Sequence, residues 1–144
     1  MRQNRLIHRA TYIIVFRPQK QKILVQKRRD TKDIYPGMLE IAAGGVVCQG
    51  ETRAESAMRE LQEETGIKEV PLQFHFDFYF EDETNRVWGR LFSCTWCNGL
   101  DFQEEEVEWG RFFRIQELED SIYSGNFTPD SEYLFSLCKK RKIL

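Results

Sequence analysis

The chain has 144 residues, which is enough for one domain with a sizeable core and short of what two independent domains usually need. Hydrophobic residues make up 41% of it and charged residues 31%, a balance that excludes collagen-like, mucin-like and wholly disordered chains. The formal net charge of −2 argues against strong non-specific binding to nucleic acid or to an anionic membrane.

The apolar segments of the sequence are too short to cross a membrane. The longest, Ala10–Phe16, is about a third of the roughly 20 residues that a spanning helix requires. Residues 1–5 lead into a strand-like segment and not into the apolar region of a signal peptide. We therefore expect a cytoplasmic protein with no membrane partner and no specific nucleic-acid binding.

The cysteines are few and irregularly spaced, unlike the framework of a disulfide-stabilised protein. They are Cys48, Cys94, Cys97 and Cys138. Cys94 and Cys97 spell C-x-x-C, but they lie in Arg90–Cys97, whose alternation is typical of a strand. Residues three apart on a strand point to opposite faces, so we do not expect one zinc ion or one disulfide to join them.

The first third of the chain predicts a hairpin followed by a glycine-rich loop. Thr11–Phe16 and Lys22–Lys27 are rich in β-branched residues and are separated by five residues that include a proline. Tyr35–Gly37 predicts a turn before the short apolar run Met38–Ala43. Gly44 and Gly45 follow, where the backbone can take conformations closed to other residues.

The second half predicts two paired strands, a shorter strand and two helices. In Gln73–Phe80 every even position is Phe, the clearest period-2 pattern in the chain. Arg86–Cys97 is predicted to be its antiparallel partner across a short turn. Trp109–Phe113 is predicted to be a last strand, with helices near Ile115–Tyr123 and at Asp130–Lys140.

The best-defined helix is predicted to begin after Thr52 and to end at Gly66. Thr52 and Glu55 fit a capping box, and Gly66 fits a left-handed C-terminal stop. Spacings of three and four residues mark the face that is expected to pack on the sheet. Its members are Ala54, Ala57, Met58, Leu61 and Thr65.

The other side of this helix carries three carboxylates, Glu60, Glu63 and Glu64, within roughly a quarter-turn. Like charges at these spacings cost roughly 0.2–0.5 kcal/mol per pair even when exposed. Hard divalent cations such as Mg²⁺ and Mn²⁺ prefer carboxylate oxygen and would occupy such a gap. The alternative is a solvated, glutamate-rich helix face, because glutamate is a good helix former.

Two neighbouring features favour the metal interpretation. The approach loop Ala42–Gly45 is small and unhindered, so that one of its carbonyls could reach a metal ion. Arg59 lies one turn before Glu63, where it can orient a carboxylate.

The same residues spell a known pattern. Gly45, Glu51 and the segment 59–67 match every fixed position of the Nudix box, GX5EX7REUXEEXGU, with nine specified positions over 23 residues. The chain thus resembles the Nudix hydrolase superfamily. The resemblance implies a single Nudix domain over residues 1–144, with an α/β/α sandwich around a mixed sheet in the α/β (α+β) class. It also implies Mg²⁺-dependent hydrolysis of a diphosphate linked to another group, with Mn²⁺ as a second option.

The resemblance carries roles over to individual positions. Glu60, Glu63 and Glu64 resemble the metal ligands of the family, with the Gly45 carbonyl as a further ligand. Glu51 and Arg59 resemble the supporting pair that holds the loop and the helix in register. Metal ions would neutralise the diphosphate and activate water, and Glu64 or Glu63 would accept the proton.

A second acidic cluster precedes the predicted strand Trp109–Phe113, in the region where some relatives supply a loop carboxylate. It contains Glu104, Glu105, Glu106 and Glu108, of which we favour Glu106 as a catalytic residue. The alternative is a solvated acidic turn.

Phosphate also requires cations from the protein, and basic residues concentrate in the first two strands and the loop after them. We favour Lys27 and Arg28 as substrate-binding residues, whereas most of the other basic residues are expected to be solvated.

Outside the box, His8–Thr11, Lys22–Arg28 and Lys32–Met38 resemble type I isopentenyl-diphosphate isomerases, which share the fold. Those enzymes use a cysteine just before the box glycine and a glutamate on a later strand. The aligned positions here are Gly44 and approximately Arg86, so the isomerase catalytic pair is missing. His8 corresponds either to a metal-binding histidine or to a structural one.

The complete box therefore predicts a hydrolase of a nucleoside diphosphate derivative or another organic diphosphate, similar to the isomerase-like bacterial Nudix hydrolases. Two alternatives stay open, an isopentenyl-diphosphate isomerase and a non-catalytic Nudix domain that senses a ligand. Because relatives are commonly dimers, a homodimer is also open. The substrate cannot be derived from these residues.

Overall fold

A computed structural model describes residues 7–144 of the chain. Within that range six strands and three α-helices follow one another. The strands are β1 (Ile7–Phe16), β2 (Lys22–Arg28), β3 (Leu39–Glu40), β4 (Gln73–Glu81), β5 (Arg86–Thr95) and β6 (Val107–Arg114). The helices are α1 (Arg53–Thr65), α2 (Ile115–Ser121) and α3 (Pro129–Lys140).

The strands form one mixed sheet in the order β3-β2-β1-β5-β4, and β6 pairs with β2 away from this path. β1 and β5 are parallel, and the other pairs are antiparallel. One face of the sheet packs against α1 through Ala57 and Leu61. The other face packs against α2 and α3 through Leu118 and Leu134. The predicted α/β/α sandwich around a mixed sheet is confirmed.

β1 and β2 follow the predicted hairpin but separate almost at once. The two strands are in register only at Phe16 and Ile23, and β2 then runs beside β3 and β6. Residues 42–46, which we call the glycine loop, take the edge of β1 that this divergence leaves open. In this loop Ala43 bridges to Ile13 and Val46 bridges to Ala10. The divergence opens a gap in the sheet, and the site described below lies there.

The glycine loop is more tightly packed than the sequence predicts. Gly44 has φ of 131°, and a Cβ at this position would lie 2.1 Å from the Thr11 carbonyl oxygen. The loop therefore needs glycine at this position, because it runs against β1.

Helix α1 has the predicted ends and a slightly different buried face. Thr52 and Glu55 form the capping box, and Gly66 takes the left-handed conformation with φ of 79°. Ala54 is exposed, contrary to the predicted stripe, because the buried face is rotated towards Glu64. The residues of α1 that are buried are Ser56, Ala57, Leu61, Glu64 and Thr65.

The remaining elements agree with the predicted pattern within a few residues. β4 and β5 pair antiparallel along their length, and two helices follow β6. Cys94 is buried in β5, where burial raises the pKa of its thiol to about 11, whereas Cys97 lies beyond the strand and is exposed. Both are free thiols. Across residues 7–144 no helix combines the length and apolar character needed to span a bilayer.

Candidate active site

A cavity of about 360 Å³ opens where β1 and β2 separate. Its lining includes the glycine loop, the acidic side of α1, the end of β2 and the loop before β6. Of the residues predicted for the site, it contains His8, Arg28, Gly45, Glu60, Glu64 and Glu106.

Glu64 is the most deeply placed acidic residue of the Nudix box, with 8% of its surface exposed. Gln26 of β2 donates a hydrogen bond from Nε2 to Glu64 Oε1 at 2.8 Å. Burial raises the pKa of Glu64 well above its usual value, and the nearby carboxylates of Glu40 and Glu60 raise it further. A buried carboxylate surrounded by others is expensive to ionise unless a cation joins it.

Glu40 of β3 is a site residue that the sequence analysis missed. Strand pairing places it opposite Gln26, on the sheet face that carries Glu64. Burial raises the pKa of Glu40, although Arg28, which donates from Nη1 to Glu40 Oε2 at 3.2 Å, acts in the opposite direction. The sequence signal for this region was Gln26, a polar residue inside the apolar run of β2. The structure buries Gln26 almost fully.

Glu60 lies directly against the glycine loop. A Cβ on Gly45 would fall 2.6 Å from Glu60 Oε2, so only glycine lets the loop approach this carboxylate. The Gly45 carbonyl accepts a hydrogen bond from the Thr11 amide at 2.9 Å and keeps a second lone pair. Burial, opposed by Arg59, raises the pKa of Glu60.

Glu63 is separated from the other two helix carboxylates. Its side chain is 52% exposed and lies outside the cavity lining. Arg59 Nη1 donates both to Glu60 Oε1 at 2.9 Å and to Glu63 Oε1 at 3.2 Å, so this guanidinium occupies the space between them. In the described part of the chain, no three His, Cys, Asp or Glu side chains are grouped closely enough to hold a metal ion as they stand.

Glu51 and Arg59 form what we call the outer clamp. Arg59 donates from Nε to Glu51 Oε2 at 2.6 Å and from Nη2 to Glu51 Oε1 at 3.0 Å. The Cys48 amide donates to Glu51 as well. The hydrogen bond from Arg59, and secondly the one from Cys48, lowers the pKa of Glu51 to about 2. The clamp ties the loop before α1 to the helix.

Glu106 reaches the cavity from the loop before β6. Its carboxylate is paired with the Lys32 ammonium, and both residues line the cavity. The Glu106 carbonyl also accepts a hydrogen bond from the Arg29 amide at 3.2 Å. These contacts hold the loop before β6 against the loop after β2.

The two predicted substrate-binding residues lie on opposite faces of β2. Arg28 lines the cavity, where it contacts Glu40 and donates from Nε to the Ile34 carbonyl at 3.0 Å. Lys27 is outside the cavity lining and donates to Glu108 at 3.0 Å. Strand alternation explains the difference, because neighbouring residues on a strand point to opposite faces.

The lining carries a strong excess of negative charge. Among residues 7–144, six carboxylates in the lining face two cations, which are Arg28 and Lys32. We call the six the cavity carboxylates: Asp33, Glu40, Glu60, Glu64, Glu106 and Asp130.

These donors fit hard divalent cations. Carboxylate and carbonyl oxygens are the preferred ligands of Mg²⁺ and Mn²⁺. Two buried oxygens close to these carboxylates, Thr11 Oγ1 and Gln26 Oε1, have no hydrogen-bond partner within the described chain. Such atoms are suited to bind a cation or the water around it.

Comparison with known proteins identifies the family. The NUDIX domain family matches residues 6–134 of the chain. A Nudix hydrolase of Escherichia coli K12 named YfcD is 48% identical over 141 residues, covering 98% of this chain and 77% of YfcD.

Solved structures share the fold at low sequence identity. DR0079 from Deinococcus radiodurans superposes with a TM-score of 0.80 at 20% identity, over 91% of this chain and 82% of its own. The MutT protein from Methanosarcina mazei Go1 has a TM-score of 0.80 at 19% identity, over 94% and 95%. The chain therefore belongs to the Nudix hydrolase family, whose members are enzymes that act on pyrophosphate bonds and generally use divalent metal ions.

Proposed function

We propose that this Nudix hydrolase cleaves the diphosphate linkage of a nucleoside diphosphate derivative or another organic diphosphate, with Mg²⁺ as its ion and Mn²⁺ as an alternative. The observation that carries the proposal is the charge of the cavity, where six carboxylates face two cations beside a complete Nudix box. An anionic substrate would be repelled from such a lining unless divalent cations entered with it.

Glu60 and Glu64 are our principal metal ligands, with the Gly45 carbonyl beside them. Both side chains line the cavity, and Gly45 lies against Glu60. Glu63 is proposed as a third ligand from the box pattern alone, because its carboxylate is paired with Arg59 outside the lining. Bound divalent cations would offset the charge of the diphosphate and make phosphorus more electrophilic.

The remaining chemistry falls to residues that hold substrate and accept a proton. Arg28 and Lys32 are the cations of the lining and are proposed to contact phosphate oxygens, replacing Lys27 in that role. Glu106 is proposed as the general base, because it faces the cavity and Lys32 holds it in place. The outer clamp is proposed to position Glu60 through Arg59.

The role of Glu106 can be tested with a neighbour as control. Changing Glu106→Gln should lower kcat about 10²- to 10⁴-fold. Glu105→Gln should behave like the wild type, because Glu105 is exposed and outside the lining. Equal losses in the two variants, or a kcat of Glu106→Gln within threefold of the wild type, would reject the assignment.

An isomerase is less well supported than a hydrolase. The cavity lining contains no cysteine among the residues that the structure describes, and Cys48 contacts Arg59 outside it. The thiol of an isopentenyl-diphosphate isomerase would thus have no equivalent here. A ligand-sensing domain that lacks turnover is the second alternative function. A homodimer and the assignment of residues 1–144 to one Nudix domain are both proposals.

The decisive experiment is a substrate screen with added Mg²⁺ or Mn²⁺. We expect phosphate-containing products from at least one nucleoside diphosphate derivative or other organic diphosphate, and no products in the presence of excess EDTA. Activity that survives chelation would contradict the metal-dependent mechanism. Interconversion of the two five-carbon diphosphates without phosphate release would identify an isomerase, and tight binding without turnover across the panel would identify a sensor.

A further inference from the structure

The cavity continues beyond the Nudix-box carboxylates to a second group of side chains. Tyr12, Tyr35, Asn85 and Asp130 line this part, which we call the distal wall. Tyr12 packs against the core on the α3 side of the sheet, whereas α1 lies on the opposite side. The cavity thus passes through the gap between β1 and β2 and reaches both faces of the sheet.

Glu40 lines the same cavity as Glu64 and Asp130. Its partner across the β2–β3 pairing, Gln26, donates a hydrogen bond to Glu64. The N-terminus of α3 is held beside β3, because the Ile41 amide donates to Ser131 Oγ at 3.1 Å. A substrate whose diphosphate lies at the box would extend towards this wall.

The distal wall presents hydrogen-bond acceptors. Tyr12 donates its hydroxyl proton to Asp130 Oδ2 at 2.9 Å, and Tyr35 donates its proton to Asp82. A phenol has one proton, so both tyrosine oxygens have only lone pairs left for a ligand. The carboxylate of Asp130 adds further acceptors. Asn85, which is 8% exposed, contributes an amide with both donors and an acceptor.

We infer that the group attached to the diphosphate carries hydroxyl or amine hydrogen-bond donors, which bind the acceptors of Asp130 and Tyr12; the inference rests on the proposed diphosphate hydrolysis. An alkyl or prenyl group in this position would displace water and leave these oxygens without donors, an unfavourable arrangement. A hydroxyl or an amine would satisfy them, and a site built for such donors rejects analogues that lack them.

Matched ligands test the inference directly. The series consists of 4-hydroxybutyl, 4-aminobutyl and butyl diphosphate, which differ only in the terminal group. Hydrolysis is followed by phosphate release, and binding of the methylene-bridged, non-hydrolysable counterparts is measured by calorimetry with Mg²⁺. We expect the wild type to bind the hydroxyl and amino compounds about 10- to 100-fold more tightly than the butyl compound.

A variant and a control locate the preference. Asp130→Asn keeps an oxygen to accept from Tyr12 but replaces a carboxylate acceptor by an NH₂ donor, and should reduce the preference about tenfold. Glu132→Gln removes a carboxylate from the same first turn of α3, outside the cavity lining, and should leave the preference intact. Comparison of the 4-hydroxybutyl and 4-aminobutyl compounds shows whether a hydroxyl or an amine donor is preferred.

Equal or tighter binding of the butyl compound by the wild type would overturn the inference. So would an Asp130→Asn variant that keeps the full preference of the wild type. Absence of binding by all three compounds would also overturn it. If the preference is found but neither these compounds nor any member of the substrate screen is hydrolysed, the inference stands and the proposed hydrolysis is rejected. If all three are hydrolysed without preference, the hydrolysis stands and the inference fails.

Discussion

Glu51 and Glu64 are both glutamates of the Nudix box, and their surroundings differ in one decisive respect. Glu51 has its own protein cation, the bidentate guanidinium of Arg59, and its pKa is lowered to about 2. Glu64 has a neutral amide partner, Gln26, and its pKa is raised by burial and by neighbouring carboxylates. The first glutamate is electrostatically satisfied within the protein, whereas the ionised form of the second would need a cation from outside, as the proposed metal site supplies.

This comparison separates a positioning role from a metal-binding role. The outer clamp connects a loop to a helix and stabilises the ionised form of Glu51. The cavity carboxylates share one lining, and burial raises the pKa of three of them, Glu40, Glu60 and Glu64, as is common in binding sites. Four experiments test the distinction, in order of decreasing expected effect.

Glu64→Gln should lower kcat/KM on the order of a thousandfold, because it removes a buried charge that the proposed metal site requires. Steady-state kinetics on the substrate found in the screen measure the loss. Glu69→Gln is the control, since Glu69 is exposed and follows the same helix. A Glu64→Gln enzyme within threefold of the wild type would remove Glu64 from the metal site.

Glu51→Gln should lower kcat/KM about 10- to 100-fold, the usual range for a residue that orients a metal ligand. Because the proposed role acts through Arg59 on Glu60, the concentration of Mg²⁺ needed for half-maximal activity should rise as well. Glu117→Gln breaks another Arg–Glu pair, with Arg111, far from the box and should change neither quantity. A loss of activity at unchanged Mg²⁺ dependence would contradict positioning.

Glu64→Gln should also stabilise the metal-free protein at pH 7 by about 1–2 kcal/mol. Since the folded-state pKa of Glu64 is raised, its contribution to stability is full below the unfolded value of 4.5 and is lost as pH rises through the raised value. In urea unfolding with EDTA, the variant should have a higher free energy of unfolding than the wild type at pH 7 and the same free energy below pH 4. A variant that is less stable at both pH values would show that ionised Glu64 needs no external cation.

The contribution of the outer clamp to folding stability should have the opposite pH dependence, and it is the smallest of the four expected effects. The pKa of Glu51 is lowered from 4.5 to about 2. Its contribution to folding stability is therefore present above pH 4.5 and is lost as the pH falls through about 2. Wild type should therefore be more stable than Glu51→Gln at pH 6, and the two unfolding midpoints should converge between pH 5 and 2. A constant difference over that range would place the effect elsewhere than in the Glu51 carboxylate.

Local patterns predicted the helix and strand elements well, because each depends on neighbouring residues. The capping box of Thr52 and the left-handed Gly66 were both visible in the sequence and are present in α1. The alternating phenylalanines of β4 likewise predicted its pairing with β5. The buried face of α1 was predicted less well, because it depends on the contact between Glu64 and β2.

The Nudix box was determined by the sequence alone, and with it the family and the class of chemistry. Nine specified residues at set spacings are a property of the linear chain. Only the tertiary structure decided which carboxylates share the cavity. It brings Glu40 and Asp130 to residues from α1 and leaves Glu63 and Lys27 outside the lining, because strand register and packing act between segments far apart in the chain.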